Sequence, residues 1–85
     1  MKQNEMTDES LSIEVGKTIK KLRIKKNISQ AELSHRVNQA ASYVSRVEAG
    51  KYKITILSLD VYLRALEVSF VEFFSILEKN KKKDE

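Results

Sequence analysis

The sequence predicts an all-α fold, a single domain of five helices in which the second and third form a helix-turn-helix. Three observations predict it. Apolar residues recur at spacings of three and four with little strict alternation, which is the periodicity of helices. No proline and only Gly16 and Gly50 interrupt the 85 residues, so no linker divides them. Three cap-like serine or threonine positions each stand at the head of an apolar-periodic segment.

The first helix is expected from about Ser12 to Asn27, with Val15, Ile19 and Leu22 on one stripe and Lys17, Lys20, Lys21, Lys25 and Lys26 mostly outside it. Gly16 weakens it slightly, and Asn27, which tolerates a left-handed backbone, stops it. The second start is the sharpest signal in the chain. Ser29 caps while Glu32 reaches back to the cap's own N–H, and Ile28 and Leu33 close a hydrophobic staple. That helix ends near Val37, where Asn38 supports an abrupt turn.

The third helix, roughly Ala41 to Ala49, stops at Gly50 and has a weak cap, since Ala40 carries no side-chain oxygen. Thr55 begins the fourth, with Ile54 and Leu59 as its staple and Leu59, Tyr62, Leu63 and Leu66 on its apolar side. Ser69 with Glu72, and Val68 with Phe73, repeat the logic for a fifth helix from Phe70 to about Asn80. Residues 1–11 then read as a flexible polar arm, 12–80 as the folded domain and 81–85 as a charged tail.

A chain this short buries only ~60% of its unfolded surface, so a partner subunit would help it. Apolar residues at 41% and charged residues at 33% suit a globule rather than a disordered or membrane-spanning chain. There is no cysteine, and one histidine builds no histidine-based metal site. Paired carboxylates, a phosphate-cradling glycine loop and an activated nucleophile are missing too, so neither an enzyme nor a cofactor is expected. The opening MKQNEMTDES is no secretory signal, which gives a cytoplasmic expectation.

Net charge is +4, with a pI near 9.4, and favours a polyanion. The lysines at 79, 81, 82 and 83 contribute to it; they read first as a solvated helix end and second as distant phosphate attraction.

At 100° per residue, Val44, Val47 and Glu48 face inward on the third helix while Ser42, Ser45, Arg46 and Ala49 cluster opposite. Short side chains keep that outer face slim enough for a DNA major groove, and Arg46 supplies a forked donor for guanine or phosphate. Tyr43 lies on the flank, equally suited to touching DNA or to half-buried packing. Gln30 stands in the first turn of the second helix, where free N–H groups favour an anion; a solvated glutamine is as good a reading. Lys51, Tyr52 and Lys53 follow the reading helix, where they clamp a DNA backbone or form an ordinary surface loop.

His35 and Arg36 suit the carbonyl end of the second helix. Glu48 points inward and needs a partner, for which Arg23 is the candidate. The last helix offers Phe70, Val71, Phe73, Phe74, Ile76 and Leu77, more apolar circumference than one small core requires. The excess reads as a subunit contact ahead of simple packing on the first and fourth helices.

From Leu22 to Ser69 the chain resembles the helix-turn-helix family of phage Cro proteins and repressors, through LRIKKNISQAEL, SYVSRVEAGK and LSLDVYLRALEVS. The resemblance implies a five-helix domain that reads DNA with its second and third helices, as two-fold dimers on half-sites ~34–36 Å apart. It matches Gln30 to a phosphate-contacting, base-facing glutamine, puts Ala41, Ser42 and Arg46 at groove-facing positions and makes Arg23 and Glu48 an internal ion pair; Ser45 and Tyr43 beside them are further base-reading candidates, and Arg36 is a further DNA-backbone candidate. ITILSLDVYLRALEVSFVEFF is similar more narrowly to the controller proteins of restriction–modification systems, which implies a dimer contact through Phe70, Phe73, Phe74 and Leu77. Asn38 replaces the glycine common in the family's turn, and Ala40 and Ala41 replace polar residues, so direct base readout is expected to be thin and DNA shape to matter more.

The expected function is therefore a homodimeric, sequence-specific transcription regulator of double-stranded DNA, controlling restriction–modification genes including its own. Two dimers on adjacent sites, and RNA polymerase as a partner of an activator, fit the same expectation. A phage-type repressor or an autoregulating antitoxin is the nearest alternative, and a protein-interaction module without DNA readout is one of another class.

Overall fold

Helix ends are set by one device used four times. In the computed structural model, which describes residues 8–83, the elements are α1 (Asp8–Lys25), α2 (Gln30–Val37), α3 (Ala41–Glu48), α4 (Ile56–Leu66) and α5 (Phe70–Lys83). Each of the first four ends in a pair of reversed hydrogen bonds around a left-handed residue. After α1, Asn27 N–H donates to the Ile24 carbonyl and Ile28 N–H to that of Arg23, at 2.9 and 3.0 Å. The same pattern closes α2, α3 and α4 around Asn38, Gly50 and Glu67. It satisfies carbonyls that would otherwise be orphaned and turns the chain sharply.

Glu67 is the exception in composition, since a glutamate at φ 59° is strained where asparagine or glycine is not. Its position gave no stop signal in the sequence. Glu67→Gly is expected to raise stability by about 0.5–1 kcal/mol, read as a higher urea midpoint at unchanged slope. A lower midpoint would mean that the exposed side chain contributes more than the strain costs.

Helix starts follow the expected caps. Ser29, Thr55 and Ser69 hydroxyls accept from the N–H groups of Glu32, Ser58 and Glu72 at 3.0, 3.1 and 3.0 Å, while Ala40 provides no side-chain cap. One half of the first capping box differs. The Glu32 carboxylate turns away from Ser29 and accepts from Arg36 Nε at 3.0 Å, because a charged donor one turn on competes better than a backbone N–H.

Two boundaries also move. Residues 8–11, expected in the arm, are the first turn of α1 rather than following a start at Ser12. Glu9 suits the positive end of the helix, and Leu11 and Val15 line a recess with Lys53 and Ile54 that gives the added turn something to pack against. Residues 81–83, expected in the tail, extend α5 beyond Asn80. The rest of the expected arm and tail lies outside the described residues.

The core gathers around Ile19, Leu33, Val44, Leu66 and Phe73, all at or near zero exposure, with α1 packed on α3 and α5, and α2 on α3 and α4. Gly16 explains how α1 and α3 come so close. A Cβ there would stand 2.4 Å from the Val47 carbonyl oxygen and 2.6 Å from that of Glu48. The glycine that weakens α1 locally is what lets α3 seat on it. Gly50 has two constraints, a φ of 78° and an α1 backbone that leaves no room for a side chain.

Candidate nucleic-acid interface

α3 lies between the turn after α2 and the loop to α4, with Val44, Val47 and Glu48 buried and Ala41, Ser42, Ser45, Arg46 and Ala49 exposed. The 3.6-residue period thus puts every short side chain of the helix on the open side. Tyr43 is half-buried on the flank.

What fixes this helix is a polar lock beneath it. Arg23 Nε and Nη2 donate to the two Glu48 carboxylate oxygens at 2.7 and 3.1 Å, a bidentate arrangement with both side chains almost fully enclosed. Its third nitrogen, Nη1, donates to the Ile28 carbonyl at 2.8 Å. One guanidinium therefore ties together the end of α1, the loop to α2 and the underside of α3.

Gln30 joins the same cluster, with Nε2 donating to Glu48 Oε1 at 2.9 Å. The first residue of α2 is thereby held at a set orientation to α3. Half-buried, it still borders the open face, and its amide oxygen is not used in that bond.

Above the lock sits a second, aromatic brace. The Tyr43 and Tyr52 rings stack with centroids 4.8 Å apart, and Arg46 Nη1 donates to the Tyr52 hydroxyl at 3.2 Å. Arg46 thus leaves the helix pre-positioned by a residue from the following loop. Tyr52 was expected only as a backbone contact, and its bracing role depends on the chain reversal at Gly50, which spacing along the sequence does not reveal. Lys51 and Lys53 flank it, both exposed.

Arg36 is occupied elsewhere. Besides its 3.0 Å bond to Glu32, its Nη1 donates to the Ala65 carbonyl at 2.9 Å and so fastens α2 to the end of α4. In the protein without DNA it acts as a helix–helix tie, because the unpaired carbonyls ending α4 attract the guanidinium, while its side chain stays partly exposed.

Tyr62, on α4, is 1% exposed, and its hydroxyl has no partner among the described residues. Burial first, then the proximity of Tyr43 and Glu48, pushes this phenol far above its ordinary range and keeps it neutral. Nothing in the sequence distinguished it from an ordinary core tyrosine.

The fifth helix divides differently from the expectation. Phe73 and Leu77 are buried in the protomer's own core at 0% and 5% exposure, so they are not free for a partner. Phe70 is half-buried, whereas Val71 and Phe74 are exposed and border one apolar groove with it. On α4, Ile56, Leu57 and Val61 are also bare. Among the described residues there is no cluster of metal-ligating side chains and no helix long and apolar enough to cross a membrane.

Comparison with known proteins accounts for this arrangement. A family model described as helix-turn-helix matches residues 19–73. Control protein C.MunI from Mycoplasma sp is 30% identical over 70 residues, covering 81% of this chain and 95% of its own length. The crystal structure of the wild-type restriction–modification controller protein C.Esp1396I superposes with a TM-score of 0.81 at 37% identity, over 86% of this chain and 95% of that one. The C.Esp1396I tetramer in complex with its natural 35 base-pair operator gives 0.77 at 38% identity, over 81% and 91%. With α2 and α3 locked into a reading unit and similarity running across nearly the full length of these relatives, the chain belongs to the helix-turn-helix family, among the controller proteins of restriction–modification systems.

Proposed function

We propose that this protein is a homodimeric controller that binds a two-fold operator and regulates restriction–modification genes, its own included. The observation that carries it is the outer face of α3, where short side chains surround an Arg46 already braced by Tyr52. Such a face enters a major groove without clash and loses little side-chain freedom on binding.

Within that reading Arg46 is the principal base-contacting group, Ser42, Ser45 and Tyr43 lie beside it, and Ala41 contributes only apolar contact. Gln30, Lys51, Tyr52 and Lys53 meet the phosphate backbone, a term that adds affinity and salt dependence rather than specificity. Val71, Phe74 and Phe70 contact the partner subunit, and residues 8–83 act as one DNA-binding and dimerisation unit. The tetrameric assembly of C.Esp1396I supports a second dimer on an adjacent site. The protein then resides with the DNA in the cytoplasm, and as an activator it would also meet RNA polymerase.

Selection of bound duplexes from a random library tests the reading directly. Enriched sequences should carry two-fold half-sites ~34–36 Å apart, centre to centre. Arg46→Ala should cost about 1–3 kcal/mol and relax preference at one position in each half-site. Lys51→Ala should weaken all sequences alike and reduce the salt slope by about 1. If neither substitution weakens binding at modest salt, α3 does not read DNA.

A further inference from the structure

On the side of the molecule away from the reading helix, α1 and α5 line an open-mouthed cavity of about 240 Å³. Its floor is apolar, formed by Leu22 and Ile76, and its rim carries Lys21 and Lys25 from α1 with Lys79 and Asn80 from α5. None of the three ammonium groups has an ion-pair or hydrogen-bond partner among the described residues. Three cations drawn from two helices, unpaired among the described residues, raise the positive potential over an apolar floor.

We propose that this cavity binds a small amphiphilic anion, with a carboxylate, sulfonate or phosphate head held by Lys21, Lys25 and Lys79 and one or two apolar rings seated on Leu22 and Ile76. Its volume lies below the roughly 300 Å³ at which drug-sized sites begin, so a dinucleotide is too large. Asn80, half-buried at the rim, offers both a donor and an acceptor to orient the head.

Apart from Lys79, the cavity's lining is separate from both surfaces already assigned. α1 meets α3 through Gly16 and Arg23, and at 100° per residue Lys21 and Lys25 lie about 140–180° round the helix from them. The same count puts Ile76 and Asn80 about 120–180° round α5 from Val71 and Phe74. Lys79 stands between the two, bordering the groove of Val71 and Phe74 as well, whereas Lys21 and Lys25 lie clear of both assigned surfaces. An occupant would bridge α1 to the helix that carries the dimer contact.

Calorimetric titration with naphthalene sulfonate tests this, beside sodium sulfate for the charge alone and naphthalene sulfonamide for the ring alone. The sulfonate should bind about tenfold more tightly than either control, and Lys21→Gln/Lys25→Gln should weaken it about tenfold, a scale set by removing two surface charges. Amide shifts should centre on Leu22 and Ile76. Both substituted lysines are exposed, so folding is preserved. Absence of binding, equal affinity for the sulfonamide, indifference to the double substitution, or shifts centred on Val71 and Phe74 would each overturn the proposal.

Discussion

Arg23→Ala is expected to destabilise the protein by about 3–5 kcal/mol, because it strands the Glu48 carboxylate in a site from which water is excluded. A domain of this size has a total stability of about 5–15 kcal/mol, so the loss removes much of the margin. The effect exceeds that of an ordinary surface ion pair for two reasons. Glu48 is 6% exposed, and Arg23 also supplies the Ile28 carbonyl with its donor. Urea unfolding measures it, and Arg23→Met/Glu48→Leu provides the control. Removing both charges should recover most of the loss, since the pair pays for its own desolvation only when complete. A single-variant loss below about 1 kcal/mol would show that solvent reaches Glu48 and that the lock is peripheral. DNA binding should suffer beyond the stability change, since Gln30 is oriented by the same carboxylate.

Val71→Asp/Phe74→Asp is expected to convert the dimer to monomer and to lower operator affinity by about 10²-fold or more, through loss of the second, effectively intramolecular half-site contact. Sedimentation and operator titration read the two effects separately. Protomer stability should fall by only about 1–2 kcal/mol, because Val71 is 77% exposed and the main loss is the edge-on contact of Phe74 with Phe73 at 5.3 Å. Phe73→Asp makes the contrast. It should unfold the protomer itself, since a carboxylate would replace a ring with no exposure. Persistence of the dimer in the double variant would move the interface to another surface, with bare Leu57 and Val61 on α4 as the next place to look.

Much of the fold was legible because the chain states it locally. Ser29, Thr55 and Ser69 mark helix starts by chemistry confined to three or four residues, and Asn27, Asn38 and Gly50 mark stops in the same way. Glu67 was not legible as a stop, since nothing about glutamate announces a left-handed backbone; Val68 docking into the core forces it. The ends of α1 and α5 were underestimated for a related reason. Polar sequence at a terminus carries no periodic signal, and the turn added to α1 rests on dipole and packing.

The candidate site was legible in outline and not in its connections. Helical period alone separates Arg46 and the small residues from Val44 and Val47. It does not reveal that Tyr52 stacks on Tyr43 and holds Arg46, nor that Arg36 is spent on α4. Those contacts join residues whose relative placement depends on how helices cross.

By itself, then, the sequence determined five helices, the reading unit they contain and the face that unit turns outward, because caps, turns and periodicity act between near neighbours. Only the tertiary structure decided which apolar residues of α5 belong to the core and which stay exposed, why α1 carries a glycine against α3, and that Lys21, Lys25 and Lys79 line one cavity. Each of those depends on the distance between segments far apart along the chain, which no local rule specifies.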